Sequence, residues 1–168
     1  MKKIILFCLS ILTAFTFNSC WVYSFTGGDT GNAKTIQIDY FPNTATLVEP
    51  GLSNKFRLDL QDLFLTQTNL DIVPSNGDLQ FEGEITGYRI NPMTATADQT
   101  AAQNRLTITV NCRYYNREDE SKNFEKSFSF YHDYPANAQL TGSILDDAFD
   151  EILERITQDI FNASVANW

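Results

Sequence analysis

The stretch Arg105–Tyr115, RLTITVNCRYY, alternates strictly between apolar and polar residues. Its apolar positions are Leu106, Ile108, Val110, Cys112 and Tyr114. Successive side chains of a β-strand point to opposite faces of the sheet, so this period of two predicts a strand with one buried and one polar face. The fold therefore contains a sheet that is covered on one side only.

Segments on both sides of this strand continue the sheet. Leu79–Ile90 precedes it with apolar residues at alternate positions, and Phe124–Tyr131 follows it after a polar tract that predicts a hairpin. Thr35–Phe41 has the same period and makes a fourth strand. Gly83 and Gly87 are expected on the apolar face of their strand, where a glycine indicates close approach of a packed element.

Two other segments have helical periodicity. In Leu52–Thr68 the apolar residues recur at steps of three and four, and a longer stripe follows Ser143, which is expected to be the N-cap with Asp146 three residues later. The element order is β-α-β-β-β-α. This order predicts an α+β two-layer sandwich, with one four-stranded mixed sheet and two helices packed on one face.

The first residues resemble a bacterial lipoprotein signal. Lys2 and Lys3 precede the apolar stretch Ile4–Phe17, and Cys20 follows Ser19 as in a lipobox. We expect residues 1–19 to be a signal peptide, residues 20–33 a tether lipidated at Cys20, and residues 34–168 a single domain. Several acyl chains on Cys20 would anchor the protein stably in a membrane.

The amino-acid composition limits the classes of function that we expect for this chain. The chain has 168 residues, of which 43% are hydrophobic, and this profile is typical of one globular domain. Its net charge is −9, and loss of Lys2 and Lys3 with the signal would leave 10 basic and 21 acidic residues, a net charge of −11. So acidic a protein is not expected to bind nucleic acid.

No set of catalytic or metal-binding residues is apparent in the sequence. His132 is the single histidine, and neighbouring Asp133 would point to the opposite face of a strand, so a Ser-His-Asp triad is not formed. Cys112 is expected to be a buried core residue, with a reactive or intermolecular thiol as the alternative. We therefore expect no enzymatic activity, no metal and no cofactor.

A series of segments in fixed order extends over the whole mature chain. It comprises the lipobox cysteine with its tether, KTIQIDYFPN, LSNKFRLDLQDLFLTQTNLDIV, NGDLQFEGEITGYRI, NRLTITVNCRYYN and a terminal helix ending in DIFNASVANW. In this pattern the chain resembles the LptE family of the Bacteroidetes type, the lipoprotein partner of the outer-membrane lipopolysaccharide translocon. The resemblance implies a two-helix sandwich that plugs the lumen of the barrel protein LptD and helps to assemble it.

The resemblance also implies a place in the cell, and the charges and the long loop of this sequence give candidate contacts. We expect an outer-membrane lipoprotein whose domain faces the periplasm or the barrel lumen; the alternative is a periplasm-facing carrier that holds an acyl chain between helices and sheet. The candidate contacts with the barrel or with lipopolysaccharide are Arg89, Arg105, Arg113 and Thr96, the last in the long loop Asn91–Asn104. For the three arginines, packing and ion pairing with Glu82, Glu84 and Glu125 is the alternative interpretation.

Overall fold

The structure is a computed structural model that describes residues 28–93 and 102–166. Within these residues the chain forms five strands and two α-helices, with one short 3₁₀ turn at Glu120–Lys122. The elements in chain order are β1 (Thr35–Ile38), α1 (Leu52–Gln67), β2 (Asp71–Ile72), β3 (Leu79–Met93), β4 (Gln103–Asn116), β5 (Phe124–Pro135) and α2 (Ser143–Ser164). The expected signal peptide at residues 1–19, Cys20 and Thr96 lie outside the described residues.

The strands form one mixed sheet in the order β2-β1-β3-β4-β5. β1 is parallel to both β2 and β3, whereas β3, β4 and β5 are antiparallel to one another. The α+β sandwich expected from the sequence is therefore confirmed. The sheet has one strand more than expected, because Asp71 and Ile72 pair with Thr35 and Ile36, and a two-residue strand is too short to show a period.

Both helices pack on one face of the sheet, as expected. Aromatic residues fill the layer between them: the Phe64 ring centroid lies 5.1 Å from that of Phe81 on β3 and 5.0 Å from that of Phe161 on α2. Because Lys55 at the start of α1 also bonds Asp150 early in α2, the two helices run in the same direction. The apolar positions of β4 are all buried, among them Cys112 and Tyr114.

A β-bulge in β3 corrects the expected position of one glycine. The register with β4 shifts between Ile85 and Gly87, so that Gly87 lies opposite Thr109 on the polar side and not on the apolar face. Gly83 does lie on the apolar face, as expected. A Cβ atom there would stand 2.7 Å from Cε1 of Phe41, which packs directly above it.

The start of α2 also differs from expectation. The N-cap is Gly142, with a φ of 56° and no side-chain cap, and Ser143 is the first helical residue. The left-handed backbone at Gly142 lets the chain turn from β5 into α2, a conformation that a serine rarely adopts. The backbone amide of Asp146 donates to the carbonyl of Gly142 at 3.0 Å, which closes the first turn.

The first described residues, Gly28 and Asp29, lie where α2 ends. The amide of Asp29 donates to the carbonyl of Val165 at 2.7 Å, and a Cβ atom at Gly28 would lie only 2.9 Å from Cγ2 of Val165. The tips of β3 and β4, Met93 and Gln103, lie at the other end of the sheet, near the start of α2. None of the helices in the described ranges has the length and apolar character needed to cross a membrane.

Candidate functional site

The site that the fold presents is the face of β3, β4 and β5 opposite the helices, which we call the polar face. Within the described residues both α-helices pack on the other side of the sheet. The polar face has the composition expected from the sequence alternation, since charged, amide and hydroxyl side chains project from it. Its central residues are Glu82, Glu84, Arg105, Thr109, Asn111, Arg113, Glu125 and Ser129.

Arg113 is the centre of the first cluster on this face. In the register of the sheet Glu82, Arg113 and Glu125 form one row across three strands. The Arg113 Nε atom lies 2.9 Å from Oε1 of Glu82, and its Nη2 atom lies 3.2 Å from Oε2 of Glu84. Nη1 lies 3.8 Å from Oε1 of Glu125. The amide of Asn111 donates to both Glu84 and Glu125, at 3.1 and 2.9 Å.

These contacts stabilise the charged forms of Glu84 and Arg113. The hydrogen bond from Asn111, followed by that from Arg113, lowers the pKa of Glu84 below its ordinary value. The bonds to Glu82 and Glu84 raise the pKa of Arg113. Glu84 and Arg113 therefore stay ionised at neutral pH, and the guanidinium is already surrounded by carboxylates.

Arg105 and Asp133 form a second cluster nearer the tip of the sheet. Nε and Nη2 of Arg105 donate to the two carboxylate oxygens of Asp133, both at 2.7 Å. The guanidinium carbon also lies 3.6 Å from the ring centroid of Tyr131. The hydrogen bond from Arg105 lowers the pKa of Asp133. Ion pairing, the alternative that the sequence left open, is thus present for both Arg105 and Arg113.

Hydroxyl groups connect the two clusters. The Thr109 and Ser129 side chains are hydrogen-bonded at 3.0 Å, and Ser129 donates to the carbonyl of Ile108. A lattice of neighbouring, mutually satisfied polar groups is compatible with water or with a polar wall. The guanidinium groups of Arg105 and Arg113 in this lattice already contact carboxylates, with which an incoming phosphate would compete.

The remaining candidate contacts differ from these two. Arg89 lies opposite Thr107 on the polar face and is exposed, and within the described residues it forms no salt bridge. Thr96 is outside the described residues. Arg89 is therefore the candidate arginine whose charge remains available to an anionic partner.

The partner of Arg105 was not predictable from the sequence pattern. The acidic residues considered for the arginines were Glu82, Glu84 and Glu125, and they do surround Arg113. Arg105 instead pairs with Asp133, because the β4–β5 register places these two residues directly opposite each other. Only the hairpin length and the extension of β5 to Pro135 could have indicated this pair.

The reactive residue types are separated in space. His132 contacts Glu151 of α2 on the helical side, while Ser129 lies on the polar face, so the two do not form a catalytic pair. Burial raises the pKa of the Cys112 thiol to about 12, which makes it unreactive. Among the described residues, no group of three or more acidic, histidine or cysteine side chains is placed to hold a metal ion.

Comparison with models of protein families shows to which family the chain belongs. A family model described as "LptE: Lipopolysaccharide-assembly" matches residues 33–164. The chain belongs to the LptE family. Membership in LptE places it among lipopolysaccharide-assembly proteins, and the match covers every strand and helix of the described fold. No curated protein sequence matches the chain.

Several solved structures are similar to this LptE-family chain at low sequence identity. The hypothetical protein CT253 from Chlamydia trachomatis is 10% identical, with a TM-score of 0.53 over 80% of this chain and 99% of that one. The rare lipoprotein B from Shewanella oneidensis is 10% identical, with a TM-score of 0.46 over 76% and 89%. An uncharacterized lipoprotein B from Nitrosomonas europaea is 12% identical, with a TM-score of 0.47 over 77% and 80%.

Proposed function

We propose that the chain is an outer-membrane lipoprotein, anchored through Cys20, which occupies the lumen of an LptD-type barrel and helps to assemble it for lipopolysaccharide transport. Residues 1–19 act as the signal peptide and residues 20–33 as the tether in this proposal. The chain acts as a structural and interaction protein without enzymatic activity, cofactor or metal. Membership in the LptE family supports the lipopolysaccharide-assembly part of the proposal.

The observation that carries the barrel contact is the polar face with its ion-paired arginines. Arg113 and Arg105 are held by carboxylates, and the Thr109–Ser129 hydroxyl pair lies between them. An outer-membrane barrel has a polar interior, so a flat polar sheet can face its wall without desolvating an unpaired charge. Within residues 28–93 and 102–166 both helices pack on the opposite side of the sheet, so neither helix covers this face.

The apolar layer supports this proposal over an acyl-chain carrier. A carrier needs an open apolar cavity between helices and sheet. Here Phe41 packs on Phe56 with ring centroids 4.9 Å apart, and Phe64 fills the space between Phe81 and Phe161. The side chains that would line a lipid-binding cavity therefore pack against one another.

Direct contact with lipopolysaccharide is assigned to Arg89 and Thr96. Arg105 and Arg113 are proposed to maintain the lattice of the polar face, where they can still contact the barrel wall. Because the mature chain would carry a net charge of −11, an anionic glycolipid would be attracted only by a local positive group or through a bridging divalent cation. Arg89, exposed at the tip half of β3, is such a group.

Photo-crosslinking tests the barrel contact. A photoreactive amino acid replaces Thr109 on the polar face, and the matched control replaces exposed Leu58 on α1. Irradiation of cells should give a barrel-sized adduct from position 109 in clear excess over position 58. A chain that is fully lipidated and folded but gives no barrel adduct from either position would contradict the proposed function.

A further inference from the structure

The two edges of the sheet differ in length and protection. At one edge β2 has only two residues, Asp71 and Ile72, and Pro74 follows shortly after. At the other edge β5 has twelve residues, Phe124–Pro135, which pair with β4 without any register shift. Within the described residues no strand pairs with the outer side of β5. Such an edge presents a row of backbone N–H and C=O groups that can accept another strand.

The side chains of β5 are arranged to receive a neighbour on the helical side. Phe124, Phe128 and Phe130 point toward the helices, yet each is only partly buried, because the sheet ends beside them. Next to Phe130 a cavity of about 300 Å³ opens between α2 and the strand edge. The remaining residues that line it are Glu151, Glu154, Arg155 and Gln158. An added strand would place every second side chain under α2, against these rings.

The charges around the edge define the chemistry of the partner strand. Glu125 on the polar side is 61% exposed and lies 3.8 Å from Arg113, and Glu151 on the α2 side is 57% exposed and contacts His132. Two basic side chains at this edge, Lys126 and Arg155, lie over the rings of Phe124 and Phe130. A strand with apolar residues facing Phe128 and with lysine or arginine near either glutamate complements this edge.

A second copy of the chain fits this edge poorly because of the negative charge of α2. α2 carries six acidic residues and a single basic one, Arg155. Pairing of β5 with β5 of another copy would bring two α2 helices side by side over the junction. Two acidic helices in contact repel each other, so the edge favours a different protein.

We propose that β5 is an attachment edge at which the barrel partner adds one extended strand, apolar toward Phe128 and Phe130 and basic toward Glu125 and Glu151. This inference rests on the proposed function, since it names how the same partner would bind. The polar face supplies a compatible surface, whereas the β5 edge supplies directional backbone hydrogen bonds and a fixed register.

Proline substitutions on β5 test the proposal. Consecutive residues of a strand direct their N–H groups to opposite sides, so of Lys126→Pro and Ser127→Pro one removes an outward N–H and the other breaks the β4 ladder. Both side chains are exposed. The outward variant is the one that removes an outward N–H and leaves the hydrogen bonds to β4 intact. Of the two purified variants it is therefore the one with the higher melting temperature. In the lipidated full chain, co-expressed with the barrel, this variant should recover about tenfold less barrel than wild type.

Hydrogen–deuterium exchange of wild type provides a second measurement that needs no variant. In the complex, about half of the amides in residues 124–135 should exchange more slowly than in the free protein, because only outward N–H groups gain partners. The amides of Asp71 and Ile72 are the internal control and should not change. Recovery of a complex in which β5 exchange is unaltered, or of undiminished barrel with the outward proline, would overturn the attachment edge and leave the proposed function standing.

Two other outcomes are distinguishable. If wild type recovers no barrel at all, both the proposed function and the attachment edge are wrong. If protection of residues 124–135 appears without barrel and light scattering shows a dimer, the edge belongs to a second copy of the chain, and the proposal of a barrel strand is overturned.

Discussion

Replacement of Arg113 by methionine tests whether the charge lattice stabilises the polar face. Arg113→Met keeps a long side chain but removes the guanidinium from three carboxylates, those of Glu82, Glu84 and Glu125. The Arg113 side chain is 27% exposed, so solvent screens each pair. Taking about 0.5 kcal/mol for each of the three pairs gives a loss of roughly 1–2 kcal/mol in the free energy of unfolding at pH 7.

The pH dependence of this loss has a definite sign. The folded-state pKa of Glu84 is lowered by Asn111 and Arg113, so the stability it contributes is present above the ordinary carboxyl pKa and is lost as pH falls through the lowered value. In the Arg113→Met variant Glu84 keeps only the hydrogen bond from Asn111, so its contribution to the stability of the folded state is smaller. The difference between wild type and variant should therefore be largest near neutral pH and should shrink below about pH 4.

Urea unfolding of the unlipidated protein, with residues 1–19 removed and Cys20 changed to serine, measures this difference. Thermal melts should agree, with a decrease of roughly 3–8 °C for a domain of this size. Arg155→Met is the matched control, since Arg155 contacts Asp159 at 3.6 Å and is 60% exposed, and it should cost less than about 0.5 kcal/mol. Equal losses in the two variants, or a loss for Arg113→Met that persists undiminished in acid, would refute the reasoning.

Two further predictions concern the interior of the sheet. Gly83→Ala should reduce the free energy of unfolding by about 1–3 kcal/mol or more, because the added Cβ would meet Phe41 and the carbonyl of Asn111, and chemical denaturation measures the loss; a variant as stable as wild type would contradict the packing of Phe41 over β3. The Cys112 thiol, fully buried and with its pKa raised to about 12, should react with an aromatic disulfide reagent only after urea is added. Rapid labelling of the native protein would show that β4 opens locally.

The buried faces of the strands and helices could be predicted from the local sequence, because buried residues recur along the chain with the period of the secondary-structure element. The five alternating residues Leu106, Ile108, Val110, Cys112 and Tyr114 are all buried in the structure. In the helical stripe Leu52, Phe56, Leu60 and Phe64 are buried as predicted, whereas Leu63 of the same stripe is only partly buried. Alternation and three-to-four spacing follow from backbone geometry alone, so they do not require knowledge of the neighbouring elements. The family resemblance, which used the same segments, was confirmed over residues 33–164.

Local irregularities of the backbone could not be predicted from the sequence period. The bulge between Ile85 and Gly87 reverses the faces of the following residues, which places Gly87 on the polar face and buries Tyr88. A bulge depends on the register of two strands, and no single-strand period reports it. The same reasoning applies to Gly142, whose backbone conformation is set by the angle between β5 and α2.

By itself, then, the amino-acid sequence determined the layer order of this protein, the composition of its polar face and the membership of its apolar core. Only the tertiary structure decided which carboxylate neutralises which arginine, that β2 joins the sheet beside β1, and that β5 is left with an unpaired outer side among the described residues. The physical reason is that periodicity is a property of one element, whereas ion pairs, strand neighbours and free edges depend on the register between elements distant in the chain.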